Sequence, residues 1–201
     1  MASLTPRIEQ VINALQCLPG VGRKTATRMT LFLLQGHRDD AAHIATSIDE
    51  ALATVTSCAT CHNLSDAEVC DICADAKRAN GQLCVVETAA DLVAIEETGT
   101  FQGRYFVLHG LLSPIDGMGP DELNLGTFLP CVRDSDIREV IVALNATVEG
   151  EATTHFIGEL LEGSGISLSQ LAHGIPVGGE LGYVNSRTIA QAFQRRVNLG
   201  A

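Results

Sequence analysis

Four cysteines in the middle of the chain constrain its fold more than any other feature. They form the pattern Cys58-x2-Cys61-x8-Cys70-x2-Cys73, in which a short link joins two CxxC pairs. Each pair can present two thiolates from one tight turn, and zinc takes four such ligands in closed structural sites. The spacing predicts a structural zinc module at residues 57–80, with no coordination position left for water or substrate.

Two other uses of these cysteines are alternatives to zinc. Thioredoxin-like dithiols need a CxxC that opens a helix after an apolar strand, and neither pair has that setting. Iron–sulfur ligation is the second alternative.

Charge is distributed unevenly along the 201 residues. The whole chain carries −11, but residues 1–38 hold five basic residues against Glu9 alone, which gives +4 there and −15 for the rest. An acidic body opposes nucleic-acid binding. The basic head therefore predicts weak DNA binding by one chain, strengthened when several heads or a partner act together.

The first 56 residues predict three helices, with apolar residues at helical spacing. Thr5 and Pro6 supply a cap and a first turn for the first helix. The second helix is expected to end near Leu34, and Asp39 or Asp40 is expected to cap the third.

A Leu-Pro-Gly-Val-Gly turn joins the first two helices. Gly20 and Gly22 can adopt positive φ, and the free N–H groups of the following helix start attract anions. Arg23, Lys24 and Arg28 come next, and the last two share a helical face. This arrangement resembles the helix–hairpin–helix of DNA repair proteins and predicts a sequence-independent contact with the phosphate backbone.

Two other interpretations of the turn compete with this one. A Walker A loop is excluded, because it needs glycine at the positions of Arg23 and Leu18. A helical corner with solvated basic side chains is the remaining alternative.

Beyond residue 80 the pattern changes to alternating strands and helices. Strands are predicted at 83–86, 105–108 and 140–144, and helices at 89–97, after the turn at 149–151 and from about residue 186. Such alternation predicts a parallel sheet with right-handed crossovers. Glu87 and Asn145 would then lie beyond the carboxyl ends of their strands, where ligands bind.

The stretch LNATVEGEA resembles the Asp-x-Asp-x-Glu-Gly-Glu motif of the Toprim fold in type IA topoisomerases. In active Toprim enzymes the two Asp and a Glu matching Glu87 hold Mg²⁺. Asn145 and Thr147 replace both Asp, so the resemblance implies at most a weak Mg²⁺ site and no catalytic residue. Glu87, Glu149 and Glu151 are expected to form an acidic face for a protein partner; solvated carboxylates at a helix start are the alternative.

The chain contains, in this order, the hairpin, the four-cysteine module, the Toprim-like sheet and a tail with LAHGIPVGGEL. It also contains the stretches LSPIDGMGP and TVEGEAT. The ordered set resembles the bacterial RecR recombination mediators over nearly the whole chain. That resemblance implies a non-enzymatic mediator that acts with RecO and RecF to load the recombinase on gapped or single-stranded DNA. It also implies a homo-oligomer, a dimer or tetrameric ring, with DNA contacts at Lys24 and Arg28 and zinc at the four cysteines.

The chain departs from the family pattern at two positions. His173 stands where the tail usually has Arg, and His109 stands where the second strand usually exits through Gly. The tail is Walker B-like, but without a Walker A partner it does not indicate nucleotide binding.

An α+β multi-module protein is therefore expected. Its parts are a helix–hairpin–helix region (1–56), the zinc module (57–80), a Toprim-like α/β domain (81–165) and a C-terminal oligomerisation segment with a helix (166–201). No stretch resembles a signal peptide or a spanning helix, so we expect a cytoplasmic bacterial protein, nucleoid-associated when on DNA. The rival hypotheses are a Mg²⁺-dependent Toprim nuclease or primase-like enzyme and a protein-interaction adaptor.

Overall fold

The computed structural model describes residues 4–172, 174–175, 178–194 and 196. Contacts divide the chain into two compact units, Met1–Val55 and Thr56–Ala201. His173, at which the tail departs from the family pattern, lies outside the described residues.

The described part of the first unit, from residue 4 on, contains three helices, α1 (Pro6–Leu15), α2 (Arg23–Gly36) and α3 (Arg38–Thr54). Thr5 caps α1 and Pro6 occupies its first turn, as predicted. The prediction of an Asp cap for α3 is wrong: the helix begins at Arg38, so both aspartates lie inside its first turn, and Asp40 instead hydrogen-bonds the ring of His37 at 2.9 Å.

The second unit begins with the four-cysteine module. Two short antiparallel strands, β1 (Thr56–Ser57) and β2 (Leu64–Ser65), frame its first CxxC pair. The short helix α4 (Asp71–Ala74) carries the second pair, and a 3₁₀ turn at Ala76–Arg78 leads into the sheet domain.

A four-stranded, all-parallel sheet in the order β4-β3-β5-β6 forms the body of the second unit. The helices α5, α6 and α7 connect its strands, as the crossovers of a parallel sheet require. Its elements are β3 (Gln82–Val86), α5 (Ala89–Glu97), β4 (Arg104–Val107), α6 (Leu125–Asp134), β5 (Glu139–Ala143), α7 (Val148–Leu161) and β6 (Ser167–Gln170).

Two of these elements escaped the sequence prediction. The fourth strand, β6, lies beyond the expected end of the sheet domain at residue 165, and its Ser-Leu-Ser-Gln sequence offers one apolar residue at a sheet edge. Helix α6 follows a left-handed Asn124 without a side-chain cap and contains Pro130, so it lacks the usual start signal and carries a helix breaker.

Strands β3 and β4 are buried on both faces, as parallel strands covered by helices are, whereas the edge strand β6 has no buried residue. Along β4 the side chains alternate: Phe106 packs with Phe128 of α6 in the larger core, and Tyr105 and Val107 pack with Leu92 of α5 in the smaller one. The core therefore holds the carboxyl ends of β3 and β5 in place, where the candidate acidic site lies.

The C-terminal part contains a 3₁₀ turn (Leu181–Tyr183) and helix α8 (Ser186–Gln194), which has no buried residue. In the described part of the chain, no helix combines the length and hydrophobicity of a membrane-crossing segment.

Candidate metal centre and nucleic-acid interface

The four cysteines converge on one point. Their Sγ atoms all lie within 4.8 Å of one another, and the four residues are buried. Tetrahedral zinc with Zn–S distances of about 2.3 Å requires sulfur atoms roughly 3.8 Å apart, and Cys61 and Cys70 stand 3.5 Å apart. Both the geometry and the all-sulfur donor set suit zinc.

The surroundings of the cluster favour a bound cation. Burial raises the pKa of Cys58, but hydrogen bonds from the backbone N–H groups of Cys70, Cys61 and Thr60 outweigh it and bring that pKa to about 6. A hydrogen bond with Cys73, followed by burial, raises the pKa of Cys61. Four crowded thiols cannot all ionise alone, whereas a divalent cation stabilises every thiolate.

Three hydrogen bonds join the turn at residues 58–62, which we call the first zinc turn, to the sheet domain. The N–H of Val107, at the end of β4, donates to the carbonyl of Cys61 at 2.8 Å. The ring of His109 donates to the carbonyl of His62 at 2.6 Å, and the ring of His62 meets the hydroxyl of Thr127 at 2.8 Å. Neither histidine was given a functional role from the sequence. Both have positive φ, which for His109 agrees with the glycine that the family pattern has at this position.

The acidic site lies where β3 and β5 end. Glu87 follows β3 and Asn145 follows β5, and the Asn145 amide donates to the Glu87 carboxylate at 3.1 Å. Together with Glu149 they line a cavity of about 340 Å³. Asp116, which the sequence analysis did not single out, also lines it and contributes a third carboxylate.

Of the three predicted acidic residues, Glu151 is the one not among those lining this cavity. It is exposed in the first turn of α7 with Glu149. Gly150, between them, is required sterically, because a Cβ there would lie 2.0 Å from the Asn145 carbonyl oxygen.

The residues at the two replaced Asp positions are engaged in local hydrogen bonds. The Thr147 hydroxyl accepts from the N–H of Gly150 at 3.0 Å as the cap of α7. The Asn145 amide presents its N–H to Glu87, so it donates where a hard cation would need an oxygen. The two replaced Asp positions therefore serve local structure.

The hairpin between α1 and α2 presents the basic residues. Gly20 has φ +76°, which the turn requires of it, whereas Gly22 has φ −79° and is the extended N-cap of α2, so only the first glycine uses positive φ. Arg23 pairs with Glu9 of α1 at 2.8 Å. Lys24 and Arg28 are exposed, and among the described residues neither has a hydrogen-bond or ionic partner.

Family models and curated relatives match the chain over nearly its whole length. The family models are the RecR helix-hairpin-helix (residues 8–52), the RecR four-cysteine zinc finger domain (55–75), the Toprim domain (81–172) and the RecR C-terminal region (174–197). A Hahella chejuensis protein named Recombination protein RecR is 49% identical over 195 residues, 97% of either chain. Relatives of the same name from Hydrogenovibrio crunogenus and Saccharophagus degradans are 48% and 47% identical, each over 96% of this chain and 98% of the relative.

The chain belongs to the RecR family. Its Toprim match extends to residue 172 and so includes β6, in agreement with the four-stranded sheet. In this RecR-family chain, each candidate site falls within one matched segment. Lys24 and Arg28 lie in the helix-hairpin-helix match, the four cysteines in the zinc-finger match, and the acidic cavity in the Toprim match.

Proposed function

We propose that this RecR-family chain is a non-enzymatic DNA-binding mediator of recombinational DNA repair. It helps to load a recombinase on gapped or single-stranded DNA, together with RecO- and RecF-type partners. The observation that carries the proposal is the match to proteins named Recombination protein RecR over 97% of the chain. The geometry of three separate sites supports it.

DNA binds at the hairpin through Gly20, Gly22, Arg23, Lys24 and Arg28. Arg23 fixes α1 against α2 through its ion pair with Glu9, so it acts mainly on the shape of the turn. Lys24 and Arg28 project into solvent from one helical face and neutralise phosphate charge, which is binding without sequence preference. The N-terminus of α2, without a side-chain cap, adds free N–H groups.

Zinc is structural and is held by Cys58, Cys61, Cys70 and Cys73. It cross-links the two halves of the module and leaves no coordination position for chemistry. The hydrogen bonds from Val107 and His109 then hold that module against the end of β4.

The acidic face at Glu87, Glu149 and Glu151 binds a basic surface of a protein partner of the RecO or RecF type. Carboxylates around an open cavity attract Lys and Arg side chains. Asn145 and Thr147 in place of metal-binding carboxylates argue against phosphoryl transfer, and no observation favours the nuclease alternative.

Self-association completes the function. In α3 no residue is buried, and Ile44, Ile48 and Leu52 are 49, 55 and 80% exposed at successive turns of one face. An apolar stripe of this kind suits a helix of a second copy. We also assign residues 166–201 to oligomer contacts, and together these bring several basic heads to one DNA.

Anisotropy of labelled gapped DNA tests the proposal. We expect Lys24→Glu/Arg28→Glu to weaken binding at least about tenfold at low salt and to flatten its salt dependence. The control, Arg7→Glu/Arg38→Glu, changes the net charge equally in the same basic head and is expected to weaken binding less. Equal losses of affinity in the two variants would show that only the net charge of the basic head matters for binding. Affinity unchanged in both variants would contradict a DNA site at the hairpin.

A further inference from the structure

Arg104 is a cation on the core side of the sheet whose guanidinium is incompletely paired. It is the first residue of β4 and shares the face of Phe106, which packs in the larger core. Its Nε atom is shielded from solvent and has no hydrogen-bond partner among the described residues. An unsatisfied buried donor calls for a physical cause.

Arg104 opens into a polar cavity of about 480 Å³ between the zinc module and α6. Thr60 from the first zinc turn and Ser135 from the end of α6 add hydroxyl groups, and neither hydroxyl has a hydrogen-bond partner among the described residues. The described residues that line the cavity include one basic side chain and no carboxylate. Arg104, Thr60 and Ser135 thus share one concave space with Thr127, whose hydroxyl already donates to the Asn124 carbonyl.

We propose that this Arg104 cavity binds a phosphate oxyanion. A guanidinium presents a planar fork of N–H donors that matches two phosphate oxygens, and the hydroxyls of Thr60 and Ser135 supply further donors. Cys73 also lines the cavity, and a zinc ion with four thiolates carries a net charge of −2. Repulsion from that charge favours a singly charged phosphodiester over a dianion, so a nucleic-acid backbone is the better source than free phosphate.

The first experiment measures the salt dependence of gapped-DNA binding by the full chain, and its DNA arm rests on the proposed function. Arg104→Gln lowers the slope of log affinity against log salt by about 0.7 to 0.9, the loss of one phosphate contact. Arg133→Gln, which removes an exposed arginine of α6, leaves the slope unchanged. Arg104→Lys keeps the charge without the fork and retains most of the slope.

The second experiment separates the two phosphate sources. Thermal melts are compared in inorganic phosphate and in chloride of equal ionic strength, so that general salt effects are common to all variants. Stabilisation by phosphate that is lost in Arg104→Gln but kept in Arg133→Gln supports the site. This conclusion holds even if Arg104→Gln leaves DNA binding unaltered. It also holds if Lys24→Glu/Arg28→Glu shows that the hairpin binds no DNA. In that case free phosphate is the ligand.

Two outcomes overturn the proposal. The first is a folded Arg104→Gln with the slope and the phosphate response of the native chain. The second is a loss of zinc from Arg104→Gln, measured by metal content, in a protein whose native chain gains no stability in phosphate over chloride; the guanidinium would then serve only to balance the thiolates.

Discussion

Each cysteine of the zinc centre contributes one ligand and part of the module's packing. Cys58 is fully buried, and its Sγ also accepts the N–H of Cys70 at 3.3 Å. Metal affinity at such sites is largely folding free energy. The centre is therefore where a change of one residue acts most strongly on this small module.

We expect Cys58→Ala to lose zinc and at least about 3 kcal/mol of stability, which lowers the melting temperature by roughly 6–12 °C. Metal content and thermal melting measure the two effects. Cys17→Ala, at an exposed cysteine outside the cluster, should keep both zinc and melting temperature. An unchanged melting temperature in a zinc-free Cys58→Ala protein would refute the structural role.

The ionised carboxylate of Glu96 stabilises the fold through two hydrogen-bonding partners. Its carboxylate accepts from the Arg78 guanidinium at 2.9 Å and from the Tyr105 hydroxyl at 2.6 Å. Burial raises the pKa of Glu96, but these partners outweigh it and hold that pKa below its ordinary value of 4.5. A carboxyl whose pKa is lowered by folding stabilises the fold fully above the unfolded value and ceases to do so as the pH falls through the lowered one.

Glu96→Gln should accordingly lower the free energy of unfolding at pH 7 by about 1–3 kcal/mol, since Arg78 loses its charged partner and keeps its bond to the Gly103 carbonyl. The difference from the native chain should shrink as the pH falls below 4.5. Denaturant unfolding across that range measures it, with the exposed neighbour Glu97→Gln as the matched control. A difference that does not vary with pH would show that charge plays no part at Glu96.

At the scale of elements, α3 is the helix whose sequence and environment disagree. Its apolar residues recur at helical spacing, which predicts a buried face, yet none of them is buried within the described first unit. A helix with a solvated apolar stripe gains little from packing in one chain. Contact with a second copy would supply the missing burial.

Ile48→Glu should therefore weaken self-association at least about tenfold, because it places a charge in the apolar stripe. Sedimentation velocity over a concentration series measures the change. Thr46→Glu adds the same charge on the opposite face of α3 and should leave the oligomer intact. If both variants assemble like the native chain, the oligomer forms through other surfaces.

On the scale of the whole molecule, the basic residues of the hairpin, within residues 1–38, are set apart in the chain from the acidic cavity of the sheet domain. The hairpin is complementary to phosphate and the acidic cavity to basic side chains, so charge changes at one of these two sites should leave the other site's ligand unaffected. Mutations at two sites are expected to act independently of each other when the sites share no partner residue.

Glu149→Lys should weaken binding of a RecO-type partner by about tenfold or more, with DNA binding by the chain alone not weakened. The affinity for a surface-immobilised partner and the affinity for gapped DNA are measured separately. Glu159→Lys makes the same charge change further along α7, away from the acidic cavity, and should bind the partner normally. Equal retention of the partner by both variants would contradict an acidic docking face.

Sequence patterns predicted local structure well and contacts between residues distant in the chain poorly. The strands at Gln82–Val86 and Glu139–Ala143 were predicted within one residue, because each is a short apolar run bounded by clear breaks. Helix α6 and strand β6 were missed, because their own sequences are weak and neighbouring elements supply the burial and the hydrogen bonds. The same division holds for the sites.

What the sequence by itself determined is the four-cysteine cluster, the basic turn and the loss of the Toprim metal ligands. Each depends on residue types at short spacing, and spacing along a helix or turn translates directly into geometry. Only the tertiary structure decided that Arg23 pairs with Glu9, that His109 holds the zinc turn, that Asp116 joins the acidic cavity and that the Arg104 Nε finds no partner among the described residues. These are relations between residues far apart in the chain, and packing of whole elements sets them.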